Sequence, residues 1–421
     1  MPQNWKTYRL GDLIEVNSNN IRKGEVDWIN YIDIKSVGTG FYEAPKRLIL
    51  EDAPSRARRL LQEGDTVISS VRPNLKSFFY SQNLRDNTVA STGFAVLTPK
   101  HIDSRFLYYL TTNDIYIDFL VKSCTGSAYP AFSSNVIVDS EVTIPPLPEQ
   151  IAIASILSAL DDKIELNLQM NKTQEEMAMA LYKHWFVDFG PFQNSEFVDS
   201  ELGMIPEGWE VKLLDEVVEL IIDHRGKTPK KLGGDWSVTP DGCFQAISAK
   251  NIKSGKIVKP DTIKFLGKKL FYKWMKDPLK NKDILLTSEA PIGEYYFILN
   301  KTDYCLSQRL FGIRANPRVL HPELLYCFLS STYGQQQLFG RGSGSTVQGI
   351  KQSELRKLNI IVPSMEQQIE VAKTLFEYYT LMRNNDDENQ TLTTLRDTLL
   401  PKLISGEVRV KDIKQTVAQV L

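Results

Sequence analysis

The chain states its plan twice, and this repetition constrains its fold more than anything else in the sequence. Trp5 in P-x-x-W returns as Trp209 in P-x-x-W, 204 residues on. Ile32-Asp33-Ile34-Lys35 with Gly40 returns as Ile247-Ser248-Ala249-Lys250 with Gly255, an offset of 215. Asp65-Thr66-Val67-Ile68-Ser69-Ser70 with Pro73 returns as Asp283-Ile284-Leu285-Leu286-Thr287-Ser288 with Pro291, an offset of 218. Gly126-Ser127 returns as Gly342-Ser343, and Ile144-Pro145 with Gln150-Ile151 as Val362-Pro363 with Gln368-Ile369. Five matches in one order imply two copies of one fold in tandem, each working on a related but different target.

At 421 residues the chain can form two or three domains, each with its own core. No apolar run reaches the roughly 18–20 residues of a membrane helix. The start, Met-Pro-Gln-Asn-Trp-Lys, lacks the apolar stretch of a signal peptide. Cys124, Cys243, Cys305 and Cys327 are scattered, with no C-x-x-C pair, which fits free thiols in a cytoplasmic protein. The net charge of −1 conceals strong segregation. From Asp223 to Lys282 there are 15 Lys+Arg against 5 Asp+Glu, whereas Asp139 to Glu176 holds 8 acids against 2 bases. Ser195 to Glu219 adds 8 acids against 1 base. A positive lobe beside negative segments implies one surface for phosphates and others kept away from them. A solvated lysine-rich surface is the alternative.

Each repeat begins with strand-and-turn texture: short β-branched or apolar runs such as Asp65 to Val71 and Ile284 to Thr287, divided by Gly, Pro, Asn and Ser. Each ends in a long helix, expected over 148–186 and 365–403, opened by P-L-P-E-Q and P-S-M-E-Q-Q. A heptad seam runs through Ile153, Leu157, Leu160, Ile164, Asn167, Asn171, Gln174, Ala178, Leu181 and Trp185. The second helix carries its own seam 218 positions later, with Asn385 and Asn389 matching Asn167 and Asn171. Polar seam residues fix register and partner choice at some cost in packing; an exposed Asn face is the alternative. The fold expected is α+β: two globular mixed α/β heads in tandem pseudo-repeat, held apart by two antiparallel coiled-coil helices of about 58 Å.

Catalytic patterns fail on inspection. Gly226-Lys227-Thr228 resembles the end of a phosphate-binding loop, but Ile221 stands where that loop needs Gly. Phe339-Gly340-Arg341-Gly342-Ser343-Gly344 lacks the surrounding strand-loop-helix unit of a dinucleotide site, and its counterpart keeps one glycine only. The four His show no metal-ligand or triad spacing. No metal site and no catalytic residue is expected.

Leu181 to Val211 contains L-Y-K-H-W-F-V-D-F-G-P-F and then S-E-L-G-M-I-P-E-G-W-E-V, and resembles the central conserved region of the DNA-specificity subunit of type I restriction-modification systems. Thr394 to Val410, T-L-R-D-T-L-L-P-K-L-I-S-G-E-V-R-V, is similar to that family's second conserved region. The P-x-x-W openings and the S-T-G-F-A-V-L and S-Q-R-L-F-G-I stretches extend the resemblance over essentially the whole chain. It implies target-recognition domains at 1–144 and 201–363, with conserved helix regions at 145–200 and 364–421. It further implies a non-catalytic reader of an asymmetric two-part sequence in double-stranded DNA. Two modification subunits would supply S-adenosylmethionine-dependent adenine methylation. Two motor-nuclease subunits, using ATP with Mg, would join where the system restricts; this chain would bind neither cofactor.

A reader needs cationic and amide side chains on loops, for phosphates and base edges. In the first head the candidates are Lys35, Arg72, Asn74, Lys76, Ser127 and Tyr129. In the second they are Arg225, Lys227, Thr228, Lys250, Asn251, Ser288, Arg341, Ser343 and Ser345. Asn167, Asn171, Asn385 and Asn389 are the candidates for helix-pair register. A self-contained methyltransferase or nuclease, and a coiled-coil scaffold with no DNA role, stay open at this point.

Overall fold

A computed structural model describes residues 2–22, 24–126, 129–224, 226–238, 243–300, 303–344 and 348–410. The chain divides into two compact units, 1–166 with 388–421, and 167–387. Each unit takes one half of the helix pair with its head, so the division cuts across the four segments expected from the sequence.

The first head runs β1 (Lys6–Arg9), β2 (Ile14–Val16), β3 (Trp28–Ile32), β4 (Lys46–Ile49), β5 (Ala57–Leu60), β6 (Thr66–Ser69), β7 (Phe78–Tyr80), β8 (Thr88–Ser91), β9 (Phe94–Pro99), α1 (Ser104–Thr112), α2 (Asp114–Lys122), α3 (Ser134–Val138) and β10 (Glu141–Ile144). Its sheets are ordered β2-β9-β6-β7 and β4-β3-β8-β5, with β1 paired to β10. Strands β6 and β8 are buried along their whole length, which suits their runs of Thr, Val and Ile. Asp103 and Asn113 cap α1 and α2, accepting from the amides of Phe106 at 2.8 Å and Tyr116 at 3.0 Å. Helix α4 (Leu147–Phe186) follows.

The second unit opens with the hairpin β11 (Phe197–Ser200) and β12 (Gly203–Pro206). Its head then runs β13 (Glu210–Leu213), α5 (Leu214–Val217), β14 (Val218–Asp223), β15 (Cys243–Ile247), β16 (Ile252–Lys253), β17 (Lys256–Ile257), β18 (Lys264–Gly267), α6 (Lys268–Trp274), β19 (Ile284–Thr287), β20 (Tyr295–Phe297), β21 (Tyr304–Leu306), β22 (Leu310–Ala315), α7 (Pro322–Ser330), α8 (Thr332–Gly340), α9 (Gln352–Leu355) and β23 (Asn359–Val362). The sheets β14-β22-β19-β20 and β18-β15-β21, with β13 on β23, repeat the first head's topology. Even the parallel pair recurs: β3 with β8, β15 with β21. The difference lies at one edge. Strand β5 lines β8 in the first head, whereas in the second the indole of Trp274, at the end of α6, donates to the Leu306 carbonyl at 3.1 Å.

The repeated Gln fastens each head to its helix. Gln150 accepts from the Asp103 amide at 3.0 Å and donates to the Pro145 carbonyl at 2.9 Å. Gln368 accepts from the His321 amide at 3.0 Å and donates to the Pro363 and Val319 carbonyls, both at 2.9 Å. Both side chains are buried. The aromatic W-F-V-D-F-G-P-F stretch has an equally plain role: Phe186, Phe189 and Phe192 surround Trp209 at ring separations of 5.7, 5.6 and 5.0 Å.

Candidate nucleic-acid interface

In the first head, Pro73–Leu75 forms a single 3-10 turn between Arg72 and Lys76, both left-handed at φ 51°. Pro73 is buried and fixes the turn, so Asn74 and Leu75 stand out on an ordered tip. Arg72 is tied back through its amide to the Pro130 carbonyl at 2.8 Å, and its guanidinium lies 4.6 Å from the centre of the exposed Tyr129 ring. Lys76 pairs with Asp114 at 2.6 Å. Arg72, Asn74, Lys76 and Tyr129 therefore form one cluster. Lys35 is exposed on the separate turn Ile34–Ser36, whose cap is Asp33. Ser127 lies outside the described residues.

The second head uses its candidates differently. Lys250 is exposed on the turn Ala249–Asn251, the counterpart of the Lys35 turn, and with Thr228 it lines a cleft. Lys227 points inward, with Nζ 3.1 Å from both His224 Nδ1 and the Trp274 carbonyl. Burial, and then the Lys227 charge, hold His224 below its ordinary pKa. Asn251 is fully buried, against the loop contact expected of it. Its amide donates to Thr262 Oγ1 at 2.9 Å and the Lys259 carbonyl at 3.2 Å, while its oxygen accepts from Ser248 Oγ at 2.7 Å. It is a turn clamp. Ser288 is likewise buried at the end of β19. Arg341 stands 3.9 Å from Glu354, and Ser343 bridges Gly349 as Thr125 bridges Ala131 in the first head. Arg225 and Ser345 lie outside the described residues. Sequence reasoning missed Trp236, Lys264, Gln308 and Arg309, which share the cleft with Lys250. The S-Q-R-L-F-G-I stretch held two of them, and their proximity to Lys250 depends on strand pairing that no local pattern encodes.

The long helices are Leu147–Phe186 and Met365–Ser405, the latter α10. They run antiparallel within each unit. In the first, Arg396 meets Asp161 at 2.8 Å and Lys163 meets Glu388 at 3.1 Å. In the second, Asn385 donates to Asn171 Oδ1 at 2.8 Å, and Asn171 donates to Asp386 at 2.9 Å and to the Met382 carbonyl at 3.2 Å. In the first unit Asn389 reaches the Ile164 carbonyl at 3.4 Å. Asn167, Asn171 and Asn389 are buried and Asn385 half-buried, so the exposed-face alternative falls. Every position of both seams is buried or half-buried.

The family model described as the type I restriction modification DNA specificity domain matches the chain twice, over residues 2–175 and 206–394. The chain belongs to that family. Its role is therefore DNA specificity. It is 25% identical to the type I restriction enzyme MjaIX specificity subunit of Methanocaldococcus jannaschii, across 98% of this chain and 95% of that one. It is 26% identical to the HindI specificity subunit of Haemophilus influenzae, across 96% and 99%. The S subunit structure from M. genitalium shares the fold, with a TM-score of 0.59 and 14% identity over 95% of this chain and 96% of that one. Among the described residues no helix is long and apolar enough to cross a membrane, and no three His, Cys, Asp or Glu form a group that could hold a metal ion.

Proposed function

We propose that 1–144 and 201–363 are two target-recognition heads, each reading one half of an asymmetric, two-part DNA sequence, and that 145–200 and 364–421 set the gap between the halves. The duplicated head topology with unlike loop chemistry carries this reading: the frame presents Arg72, Asn74 and Lys76 in the first copy where the second, aligned on Pro73 and Pro291, has Ala290, Ile292 and Glu294, and the second has Thr228 and Lys250 at its own cleft. Cationic groups on the loops neutralise phosphates, and amide and guanidinium groups meet base edges. Ser127 and Lys35 in the first head, and Arg225, Arg341, Ser343 and Ser345 in the second, are further candidate DNA contacts in this reading. The buried Asn residues of the helix pair hold its register, because an amide bonded to the facing helix is lost on any one-turn slip. Two modification subunits dock on the helix regions and bring S-adenosylmethionine to the adenine. Two motor-nuclease subunits, with ATP and Mg, join for cleavage, all in the cytoplasm.

The test is exchange of residues 1–143 for the matching head of a related subunit, with methylome sequencing of a host that also expresses the modification partner. One half of the methylated motif should change and the other persist. A change in both halves would show that the heads do not read independently.

A further inference from the structure

We propose that the second head holds one unstacked nucleotide in a cleft that the first head has filled in. The proposal rests on the reading of this head as a DNA-binding module. The cleft measures about 360 Å³, within the range of small-ligand sites and far too small for a duplex. One wall is aromatic: the half-buried Trp236 ring, backed at 6.1 Å and 44° by the fully buried Trp274. Lys264 sits 5.1 Å from the Trp236 ring centre. Lys250 and Arg309 add two more cations, and Gln308 an amide, to the same lining.

The cleft exists because of two small residues. Strand register places Ala246 where the first head has Tyr31, since both strands pair in parallel with the next β8-type strand at that point. Ser248, two residues on, stands where the first head has Asp33. In the first head the buried Tyr31 ring occupies this position, and the largely exposed Arg56 lies across it, donating from Nε to Tyr31 Oη at 3.1 Å and from Nη2 to Asp33 Oδ2 at 2.6 Å. Ala246 has no ring at this position, and Ser248 Oγ is turned to Asn251 at 2.7 Å.

The lining specifies a ligand with a planar face and a negative end. Trp236 supplies a stacking platform, which is sequence-tolerant because every base has a π-face. Lys250 and Arg309 match a phosphate, and the Gln308 amide matches a base edge. Arg309 has a left-handed backbone, φ 64°, unlike Gly93 at the matching position of the first head, and Glu289 holds its Nε at 3.0 Å. The nucleotide can come from the duplex, extruded beside the half-site this head reads, or from free mononucleotide.

The experiment separates those sources. The full chain with its modification partner is titrated with target duplexes carrying a single mispair at each position of the second head's half-site and its flanks. Extrusion is cheaper for a mispaired base. At one or more positions a mispair should tighten binding by about fivefold or more, the scale of one stacked base, and Trp236→Leu should remove that gain. In parallel, equilibrium dialysis of the DNA-free chain against the four deoxynucleoside monophosphates should show saturable binding, lost in Trp236→Leu, if the source is free nucleotide. Lys250→Ala, an exposed side chain, gives the same readouts should Trp236→Leu fail to fold. No tightening beyond what the variants retain, together with no mononucleotide binding, overturns the cleft assignment. If half-site discrimination by the unaltered chain is intact in that result, the DNA reading stands without it. If discrimination is absent as well, the underlying reading falls too.

Discussion

In the first head Tyr109 donates to Asp161 Oδ2 at 2.6 Å, and Arg396 meets the other oxygen of that carboxylate at 2.8 Å. The positions 218 residues away hold Cys327, Tyr379 and, in the opposite direction, Ala178. There the thiol of Cys327 lies 3.0 Å from the Tyr379 hydroxyl, amid the rings of Phe297 and Tyr326. One head thus meets its helices through an ionised network and the other through a neutral, aromatic one. Burial pushes the Cys327 thiol up to about 12, so it stays protonated. The reverse holds inside the sheets. Asp65 is satisfied by neutral donors, Thr98 Oγ1 at 2.7 Å and the Gln62 amide at 2.8 Å, whereas Asp283 takes both arms of Arg314 at 2.9 and 2.8 Å. The repeat preserves backbone positions and leaves each buried polar group to be satisfied locally. Charge diverges too: residues 5–64 carry 10 Lys+Arg against 9 Asp+Glu, while the equivalent 209–282 carry 16 against 9.

The sharpest way to break this comparison is Arg314→Ala. Both members of that pair are buried, with side chains 11% and 2% exposed, so the stranded carboxylate should cost about 3–5 kcal/mol. Hydrogen exchange should rise in Ile284–Thr287 and Leu310–Ala315 and stay unchanged in Thr66–Ser69 and Phe94–Pro99. A smaller loss would mean that water readily reaches Asp283. Next comes Asp161→Ala, expected to cost about 2–3 kcal/mol, since Arg396 is partly exposed and keeps Asp397 as a partner. Tyr379→Phe in the other unit should cost only about 1 kcal/mol. Equal losses in urea denaturation would erase the contrast between charged and neutral docking.

Gln150→Ala and Gln368→Ala should behave alike, each losing about 2 kcal/mol from unpaired buried backbone groups. Unequal protection of the Asp103 and His321 amides would show that the two junctions are not equivalent. As small as the Tyr379→Phe effect is that expected of Thr98→Val, about 1 kcal/mol at pH 7. Burial raises the Asp65 pKa, and the Thr98 hydroxyl opposes that by favouring the carboxylate. A raised carboxyl stabilises the fold below its unfolded pKa, and that stabilisation is lost as pH rises through the folded value. Removing Thr98 raises the folded pKa further, so the penalty should be larger at pH 7 than near pH 4, measured by urea midpoints. The opposite trend would mean that Asp65 is not the group being stabilised.

Helices and seam were legible in the sequence because a heptad is a local period: 148–186 and 365–403 were expected, and Leu147–Phe186 and Met365–Ser405 are found. The duplicated fold was legible for the same reason, as matched residues at a nearly constant offset. Partners across the fold were not. Gln150 and Gln368 were visible as a match, but each holds an amide 47 residues away in sequence, so their shared task emerges only from tertiary structure. Asn251 and Lys227 look like loop contacts on composition alone; the cap of one turn and a neighbouring tryptophan carbonyl turn them inward. Trp236 is an isolated aromatic in the sequence, and only the fold sets it beside Lys250 and Arg309.

The Gln junctions have an evolutionary consequence. Gln150 and Gln368 bind main-chain groups alone, and every polypeptide offers those whatever its side chains. A foreign head with the same backbone trace finds its attachment ready-made after recombination at these points. On the proposed reading of the heads, a lineage trades them without redesigning the frame and acquires a new target sequence in a single genetic event.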